Sequence, residues 1–373
     1  MPFRCFMILL LPLLAGGARA QQAPLSLLIT SQESGLLLIV DADSGRVDAT
    51  IRVGDGPTDL AVSEQGDRAV VPNSGRVAAG STLSLVNTTT RQVIRTIHLK
   101  GKVGLSAGEQ TFFKPMAVAF LPGGEQLVAA CEATKCLVFV DARTGRVLGA
   151  APFHGDGVRD LVVGPEGKFV YISHPDSGSI SVINVSRRQL HKEIPVAGGT
   201  ADLALSPDGK ELWAVNESTN SISIIAIDTE DQHERLEFAS GALPRDIVFT
   251  YDGKKALCTN YLSGTISVYN TSNYKAIGEI DLGVDDTEGA EGQGGGSSGV
   301  DLSAIKRGNS PLPSGLIFAD AGTPGERAFV GLQHGNWLCE LDLERMVVKR
   351  RIQLPAKPLE LNWARTTLAF SSE

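Results

Sequence analysis

The amino-acid sequence predicts an all-β fold, a seven-bladed β-propeller with four-stranded antiparallel blades. Three observations support this prediction. A unit of about 43 residues repeats along the chain, each unit contains a strand–turn–strand pattern, and the two chain ends hold complementary pieces of one unit. A period of this length with four strands per unit is typical of propeller blades.

The repeated unit is clearest in four segments that align without gaps. They are 125–141, 168–185, 210–228 and 255–270. In each segment, two runs of alternating apolar residues flank a polar turn, which is typical of a β-hairpin. A strand ending in a Gly-containing tight turn precedes each hairpin, as in DLALSPDGK, and a fourth strand follows it. The unit is therefore predicted to be a four-stranded meander.

The first strand of each unit carries one recurring position, which we call the anchor. Six anchors align readily, with spacings of 58, 43, 42, 44 and 114 residues. The first spacing implies an insertion, and the last implies a hidden unit, which 313–342 supplies. The seven anchors are Asp59, Ala117, Asp160, Asp202, Asp246, Gly315 and Glu360.

The chain ends are predicted to share one blade. Residues 26–53 contain a second, third and fourth strand but no first strand, whereas 358–365 offer a first strand with little after it. Joining them closes the ring and removes exposed sheet edges. The alternative is an open solenoid, which would need capping units that the sequence does not show.

The N-terminus predicts export to the periplasm or the extracellular space. Residues 1–20 combine Arg4, an apolar run at 6–14 and an A-x-A pattern at Ala18 and Ala20, as in a secretory signal peptide. The alternative is a membrane anchor, but the apolar run is too short to span a bilayer. No later stretch is long and apolar enough either, so we expect 21–373 to form a single propeller domain without a transmembrane segment.

The repeat type can be narrowed from its residues. The Gly-His and Trp-Asp pairs of WD repeats are absent, whereas GPTDLAVSEQGDRAVVPNS and SGSISVIN resemble the repeats of the YVTN (YncE-like) family. This resemblance implies a propeller, and the family includes periplasmic and surface-layer proteins. It is also similar to the propellers of quinoprotein amine dehydrogenases. The chain departs from the pattern at Cys131, Cys136 and Leu332.

A site is expected at one mouth of the central channel. The insertions at 101–114 and 284–312, and a lengthened hairpin at 76–80, fall in connections that a propeller places on the same face. Long loops gathered on one face of a rigid scaffold usually carry function. We therefore expect a small molecule or a protein partner to bind there.

Five of the seven anchors are acidic, and arginines precede two of them. The candidate ligand-binding residues are Asp59, Arg159, Asp160, His174, Asp202, Arg245, Asp246 and Glu360. One interpretation is a cation or an amine ligand, with Ca²⁺ held by Asp160, Asp202 and Asp246. The other is structural, because Asp at a repeated position often accepts hydrogen bonds from local backbone N–H groups.

A second ring of residues ends the second strand of each blade. Its members are Ser31, Asn73, Cys131, His174, Asn216, Asn260 and Leu332. Asn at this position is interpreted as tolerating the left-handed backbone of a turn. His174 is the exception. It could be a metal ligand or an acid–base group, or an ordinary surface or turn residue.

The cysteines predict one disulfide bond. Cys131 and Cys136 face each other across the hairpin of blade three, and an oxidising compartment would allow them to pair. Free thiols or a metal site are the alternatives. Cys258 and Cys339 lie in mid-strand and are expected to be small buried residues.

Charge and motifs exclude several functions. The chain has 34 Lys and Arg against 42 Asp and Glu, so binding to nucleic acid is not expected. Metalloprotease, serine-hydrolase and phosphate-loop motifs are absent. The leading hypothesis is an exported, non-enzymatic binding scaffold. The alternative is a lactonase-like or quinoprotein-associated enzyme or subunit with an acidic mouth, and the catalytic residues remain unassigned.

Overall fold

Strands account for nearly all of the regular structure. The computed structural model describes residues 25–102, 108–228, 231–237, 243–283, 311–319 and 327–365. These residues form seven four-stranded sheets, one two-stranded ribbon and two 3-10 turns, at Pro165–Gly167 and Glu217–Thr219. The predicted all-β seven-bladed propeller is confirmed. The predicted signal peptide at 1–20 and all but 311–312 of the insertion at 284–312 lie outside the described residues.

Six blades are antiparallel meanders whose strands pair in chain order. Blade two contains β4 (Ala61–Val62), β5 (Arg68–Asn73), β6 (Thr82–Asn87) and β7 (Gln92–His98). Blade three contains β10 (Pro115–Phe120), β11 (Gln126–Cys131), β12 (Cys136–Asp141) and β13 (Val147–Pro152). Blade four contains β14 (Leu161–Val163), β15 (Phe169–His174), β16 (Ser179–Asn184) and β17 (Gln189–Pro195). Blade five contains β18 (Thr200–Leu205), β19 (Glu211–Asn216), β20 (Ser221–Ala226) and β21 (Asp231–Glu237). Blade six contains β22 (Pro244–Phe249), β23 (Lys255–Asn260), β24 (Thr265–Asn270) and β25 (Lys275–Asp281). Blade seven contains β26 (Pro313–Ala319), β27 (Arg327–Leu332), β28 (Trp337–Asp342) and β29 (Val347–Gln353).

Blade one is assembled from both ends of the described chain. Its strands are β30 (Leu361–Arg365), β1 (Leu25–Ser31), β2 (Leu36–Asp41) and β3 (Val47–Arg52). The order β3-β2-β1-β30 places β30 innermost, antiparallel to β1 and with Leu27 opposite Trp363. The expected ring closure is therefore present, and each of the seven blades has four strands among the described residues.

The hydrophobic core lies between the blades. The second and third strands of each blade are mostly buried, whereas a fourth strand such as β25 is largely exposed. The described residues form seven apolar clusters, and each cluster draws its side chains from two adjacent blades. In one of them, Trp213 of blade five packs with Ile247 of blade six. Because each blade buries its faces only against its neighbours, the ring has to close for the core to be complete.

The insertion at 101–114 runs partly as a ribbon. Its strands β8 (Lys100–Lys102) and β9 (Glu109–Thr111) pair with each other, and β8 packs beside β13, the outermost strand of blade three. Gly101 lies against Val147 of that strand. Residues 103–107 lie outside the described part of the chain. The ribbon therefore lies at the outer edge of blade three, and 112–114 lead from it to the innermost strand β10.

A cluster of charged residues joins blades seven and one; we call Glu340, Arg327, Lys349 and Arg350 the seam cluster. Glu340 is 1% exposed, and it accepts hydrogen bonds from Arg327 (2.9 Å), Lys349 (2.8 Å) and Arg350 (2.6 Å). Both arginines also donate to the carbonyl oxygen of Ala42 in blade one. The cluster therefore ties the two blades together where the ring closes.

No helix among the described residues is long and apolar enough to cross a membrane.

Candidate functional site

The channel mouth contains a small polar cavity of about 120 Å³. The fold brings seven of the eight predicted ligand-binding residues to its wall: Asp59, Arg159, Asp160, Asp202, Arg245, Asp246 and Glu360. They converge because equivalent positions of the innermost strands meet around the axis of the ring. The predicted gathering of acids and arginines at one channel mouth is therefore present in the structure.

The cavity wall also includes residues that the sequence reasoning did not single out. Thr58, Met116 and Leu359 line it, and each directly precedes an anchor. Arg159 and Arg245 occupy this same position in blades four and six. The repeat could therefore have predicted these lining residues, because the position before an anchor also lies near the channel.

Three of the carboxyl groups connect neighbouring blades. Each accepts a hydrogen bond from a backbone N–H group on the innermost strand of the following blade. The pairs are Asp59 with Val118 (2.6 Å), Asp160 with Leu203 (3.1 Å) and Asp202 with Ile247 (2.7 Å). These contacts favour the structural interpretation of the acidic anchors, because they satisfy backbone groups and fix blade spacing.

Burial and mutual repulsion raise the pKa values of the acidic anchors. Burial raises the pKa of Asp59 to about 6, and burial together with the charge of Asp246 raises that of Asp202 to about 7. Burial and neighbouring carboxylates also raise the pKa values of Asp160 and Glu360 well above their usual ranges. Part of the ring is therefore uncharged at neutral pH, which weakens its attraction for a cation.

The structure gives no geometric support for the predicted calcium site. Asp160, Asp202 and Asp246 line one cavity, yet no group of three or more His, Cys, Asp or Glu in the described part of the chain is arranged to hold a metal ion. One carboxyl oxygen of Asp160 and one of Asp202 each accept a hydrogen bond from a backbone N–H group. Calcium takes six to eight oxygen ligands, and at these two oxygens it would compete with the N–H donors.

The two arginines leave their guanidinium groups available to a ligand. Arg159 and Arg245 are half-buried at the cavity, and neither forms an ion pair with a described residue. Arg245 stacks over the ring of Tyr261, with its guanidinium carbon 4.6 Å from the ring centroid. The charge of Arg159 partly offsets the raised pKa values of Asp59 and Glu360. Two unpaired guanidinium groups beside neutral carboxyl groups suit an anion or a polarised carbonyl oxygen.

Glu360 and Asp246 differ from the other acidic anchors. Asp246 is 8% exposed and accepts a hydrogen bond from the hydroxyl group of Thr259 (2.9 Å). The side chain of Glu360 makes no hydrogen bond with any described residue, although its backbone pairs with Thr30. After burial, the charge of Asp246 is the largest cause of the raised pKa of Glu360. Glu360 therefore holds its proton more tightly than an exposed glutamate does, and Asp246 is close enough for its charge to contribute to this effect.

His174 is not part of the cavity. It is fully buried, with Nδ1 2.7 Å from the carbonyl oxygen of Gly157 and Nε2 2.7 Å from Ser181 Oγ. The prediction that it lines the ligand site is not supported by this position, nor is the alternative of a surface residue. Burial lowers the pKa of His174. It lies inside blade four, behind the segment that carries Arg159.

The asparagines of the second ring have a structural role that differs from the predicted one. Asn73, Asn216 and Asn260 do not have positive φ angles, and Asn216 is extended with φ of −113°. The amides of Asn73 and Asn260 donate to hydroxyl groups on the third strand, as Asn260 does to Thr265 (3.0 Å) and Ser267 (2.9 Å). The amide of Asn216 accepts from Ser223 on the third strand and donates to Thr200 Oγ1 on the first strand. Asn is needed here because its amide bridges buried strands, and not for a left-handed turn.

The predicted disulfide between Cys131 and Cys136 is wrong in this structure. The two residues are register partners across the hairpin of β11 and β12, but both are free thiols. Both pack into the apolar cluster between blades two and three, and burial raises the pKa values of both thiols. They therefore act as small apolar residues in the core. Cys258 and Cys339 are buried and form no disulfide bond, as expected.

Sequence comparison identifies a family. The family model described as lactonase, 7-bladed beta-propeller, matches residues 40–291, more than half of the chain. This match supports a propeller family related to the YVTN repeats, but the YVTN assignment itself is not confirmed. No curated protein matches the chain in sequence.

Solved structures share the fold at low sequence identity. A protein of unknown function from Desulfotomaculum acetoxidans is 14% identical, with a TM-score of 0.68, covering 92% of this chain and 99% of that one. A candidate 6-phosphogluconolactonase from Bacteroides fragilis is 15% identical, also at 0.68, covering 93% and 100%. Hydrazine synthase from Kuenenia stuttgartiensis is 19% identical at 0.63, covering 82% and 88%. These similarities show the fold alone.

Proposed function

The chain belongs to the seven-bladed β-propeller lactonase family, and from this premise we propose that it hydrolyses a lactone at the channel mouth. The observation that carries the proposal is the cavity itself, where Asp246 and Glu360 lie beside the unpaired guanidinium groups of Arg159 and Arg245. This proposal replaces the non-enzymatic scaffold as the leading hypothesis.

The residues present can complete a ring opening without a metal ion. Asp246 takes a proton from a water molecule, whose oxygen attacks the lactone carbonyl carbon. The arginines stabilise the oxyanion that forms. As the ester C–O bond breaks, Glu360 donates its proton to the departing alkoxide, and a hydroxy acid results. The proton on Asp246 then returns through water to Glu360, which restores the starting state.

The proposed substrate carries an anionic group. Two guanidinium groups face one small cavity, which is more positive charge than a single developing oxyanion requires. One arginine would bind a phosphate or carboxylate substituent, and the other would bind the carbonyl oxygen. The shared fold with a candidate 6-phosphogluconolactonase supports testing sugar lactones of this kind first.

The test is acid release from a panel of neutral, carboxylated and phosphorylated lactones at pH 6.5, corrected for spontaneous opening. We expect turnover of an anionic lactone, and a loss of about 100-fold or more in kcat for both Glu360→Gln and Asp246→Asn. Asp208→Asn, in an exposed turn away from the cavity, is the matched control and should retain activity. Circular dichroism confirms that each variant is folded. The absence of turnover on the whole panel, or full activity in both site variants, would refute the proposal.

A second proposal is an exported protein that binds a ligand at this mouth without transforming it. The blade-connecting hydrogen bonds of Asp59, Asp160 and Asp202 support it, because they assign structural work to three of the acids. Calorimetry with a hydroxy acid and its lactone separates the two proposals, since a binder would release the lactone unchanged. Export is tested by N-terminal sequencing of the protein from cell fractions, where a mature chain starting at Gln21 is expected.

A further inference from the structure

Blade four contains a buried chain of three hydrogen bonds behind the channel mouth. His174 Nδ1 lies 2.7 Å from the carbonyl oxygen of Gly157, and His174 Nε2 lies 2.7 Å from Ser181 Oγ. Ser181 Oγ lies in turn 2.7 Å from Glu193 Oε1. His174 and Ser181 are both 0% exposed. The chain therefore joins a backbone carbonyl to a carboxyl group through a region without solvent.

The number of protons in this chain follows from its two ends. A backbone carbonyl oxygen carries no proton, and an ionised carboxylate can only accept. Three hydrogen bonds need three protons, whereas a neutral imidazole and a serine hydroxyl supply two. One further proton must therefore lie on either the imidazole of His174 or the carboxyl group of Glu193.

The surroundings favour Glu193 as the residue that carries it. Burial lowers the pKa of His174, which disfavours the imidazolium form. The second carboxyl oxygen of Glu193, Oε2, is buried and has no hydrogen-bond partner in the described part of the chain. A bare buried oxygen costs less free energy in a neutral carboxyl group than in an anion. With the proton on Oε1, the three bonds run in one direction, from Glu193 through Ser181 and His174 to Gly157.

Few other charges act on the imidazole. Lys135, Asp156 and Glu193 are the charged groups that influence it, and Lys135 pairs with Asp156. Asp176 lies against Gly157, with its Oδ2 atom 3.0 Å from the position that a Cβ atom on Gly157 would occupy. The ring of Phe153 covers the imidazole, with the ring centroids 4.9 Å apart. Asp156 and Lys135 act on the pKa of His174 in opposite directions, and Glu193 raises that pKa only when it is ionised, so the imidazolium form requires an ionised Glu193.

The chain holds the segment that leads to the cavity. Gly157 lies two residues before Arg159, whose backbone N–H group donates to the carbonyl oxygen of Ser173 (3.3 Å). The next N–H group, of Asp160, donates to Ser173 Oγ (3.0 Å). Ser173 and His174 end β15. The segment is thus attached to β15 on both sides of Arg159.

We propose that Glu193 is neutral in the folded protein, that its proton completes the chain, and that His174 is thereby a positioning residue for Arg159. Blades two, five and six use the neutral amides of Asn73, Asn216 and Asn260 in the same ring position. Of these four blades, only blade four joins its second and third strands through hydrogen bonds that need a titratable proton. The consequence for Arg159 rests on the proposed function, whereas the proton count does not.

Glu193→Gln tests the proton count, because its amide N–H can donate to Ser181 Oγ without a titratable proton. Above about pH 4.3 the unfolded wild-type chain has an ionised Glu193, so it takes up one proton on folding that the variant does not take up. The ratio of the folding equilibrium constant of Glu193→Gln to that of the wild type should therefore rise about tenfold per pH unit between about pH 5 and 8. Urea unfolding across this range measures it. A ratio that does not change with pH would overturn the proposal.

Nitrogen NMR of the full chain tests the location of the proton. The signal of His174, assigned by its loss in His174→Asn, should be that of a neutral imidazole protonated on Nδ1 at pH 7, in both the wild type and Glu193→Gln. An imidazolium signal in the wild type would overturn the assignment to Glu193.

Amide exchange tests the positioning role. Ser181→Ala should speed exchange at 157–160, whereas Glu193→Gln should not, because it keeps all three hydrogen bonds. Ser267→Ala removes the equivalent hydroxyl group in blade six and is the matched control. If Ser181→Ala exchanges no faster than this control at 157–160, His174 does not position the segment. Because exchange and proton count are measured without substrate, they can fail while lactone hydrolysis is present, and the reverse also holds.

Discussion

Carboxyl groups are buried in two parts of this ring, the channel mouth and the seam cluster, and the fold surrounds them with different partners. At the mouth, acids from several blades face one cavity, and burial raises the pKa values of Asp59 and Asp202 to about 6 and 7. In the seam cluster, burial alone would raise the pKa of Glu340, but hydrogen bonds from three cationic side chains lower it to about 2.

The comparison shows that the partners of a buried carboxyl group, and not its depth alone, decide its charge. Glu340 is more buried than the acids of the channel mouth, at 1% exposure. It nevertheless stays ionised, because Arg327, Lys349 and Arg350 donate hydrogen bonds to its two oxygens. The acids of the mouth have backbone N–H groups as partners and other carboxylates as neighbours. The seam cluster therefore favours a fixed charge, and the mouth favours protons that can move.

The largest effect is expected at the seam cluster. Glu340→Gln removes the anion and leaves three cations close together at the junction of blades seven and one. The variant should lose about 3 kcal/mol of the free energy of unfolding at pH 7, as measured by urea denaturation. Glu344→Gln, an exposed residue on the turn that follows, is the control and should change stability by less than about 0.5 kcal/mol. Equal stability of both variants would contradict the assigned role.

The two regions should respond to pH in opposite directions. The pKa of Glu340 is lower in the folded than in the unfolded chain, so its contribution is present above about pH 4.5 and is lost as the pH falls towards 2. The pKa of Asp202 is raised, so its contribution is present below about pH 4 and is lost as the pH rises through 7.

Asp202→Asn sharpens this contrast, because the amide imitates the protonated carboxyl group. Between pH 5 and 7.5 the wild type should lose about 2 kcal/mol more stability than Asp202→Asn. Urea unfolding at several pH values measures the difference. A variant that follows the wild type across this range would show that Asp202 keeps its charge in the folded protein.

The smallest effect is expected for the bond between Asp59 and the N–H group of Val118. Asp59→Asn leaves one oxygen as an acceptor where the carboxyl group uses both, since Asp59 also accepts from Leu60 (2.6 Å). We expect a loss of about 1 kcal/mol in the free energy of unfolding and faster amide exchange at Val118. Unchanged exchange there would mean that this acid does not connect blades two and three.

Much of the site could be predicted from the repeat, because equivalent residues of a ring meet at its axis. The acids at Asp59, Asp202 and Glu360 were found this way, and the arginines were found because they precede anchors. His174 was misplaced, since a side chain at the end of the second strand can point inward to Ser181 as well as towards the mouth. The disulfide was predicted from proximity across a hairpin, which also suits two thiols packed in a core.

The number of blades, the closure of the ring by its two ends and the set of side chains that surround the channel all follow from the amino-acid sequence. These features depend on periodicity, which is a local property that the chain repeats. Which of these groups are charged, and which are available to a ligand, depends on the folded arrangement of the blades. That outcome depends on contacts between blades that lie far apart in sequence, such as Glu360 with the charge of Asp246 or Arg327 with Ala42, and no local pattern encodes them.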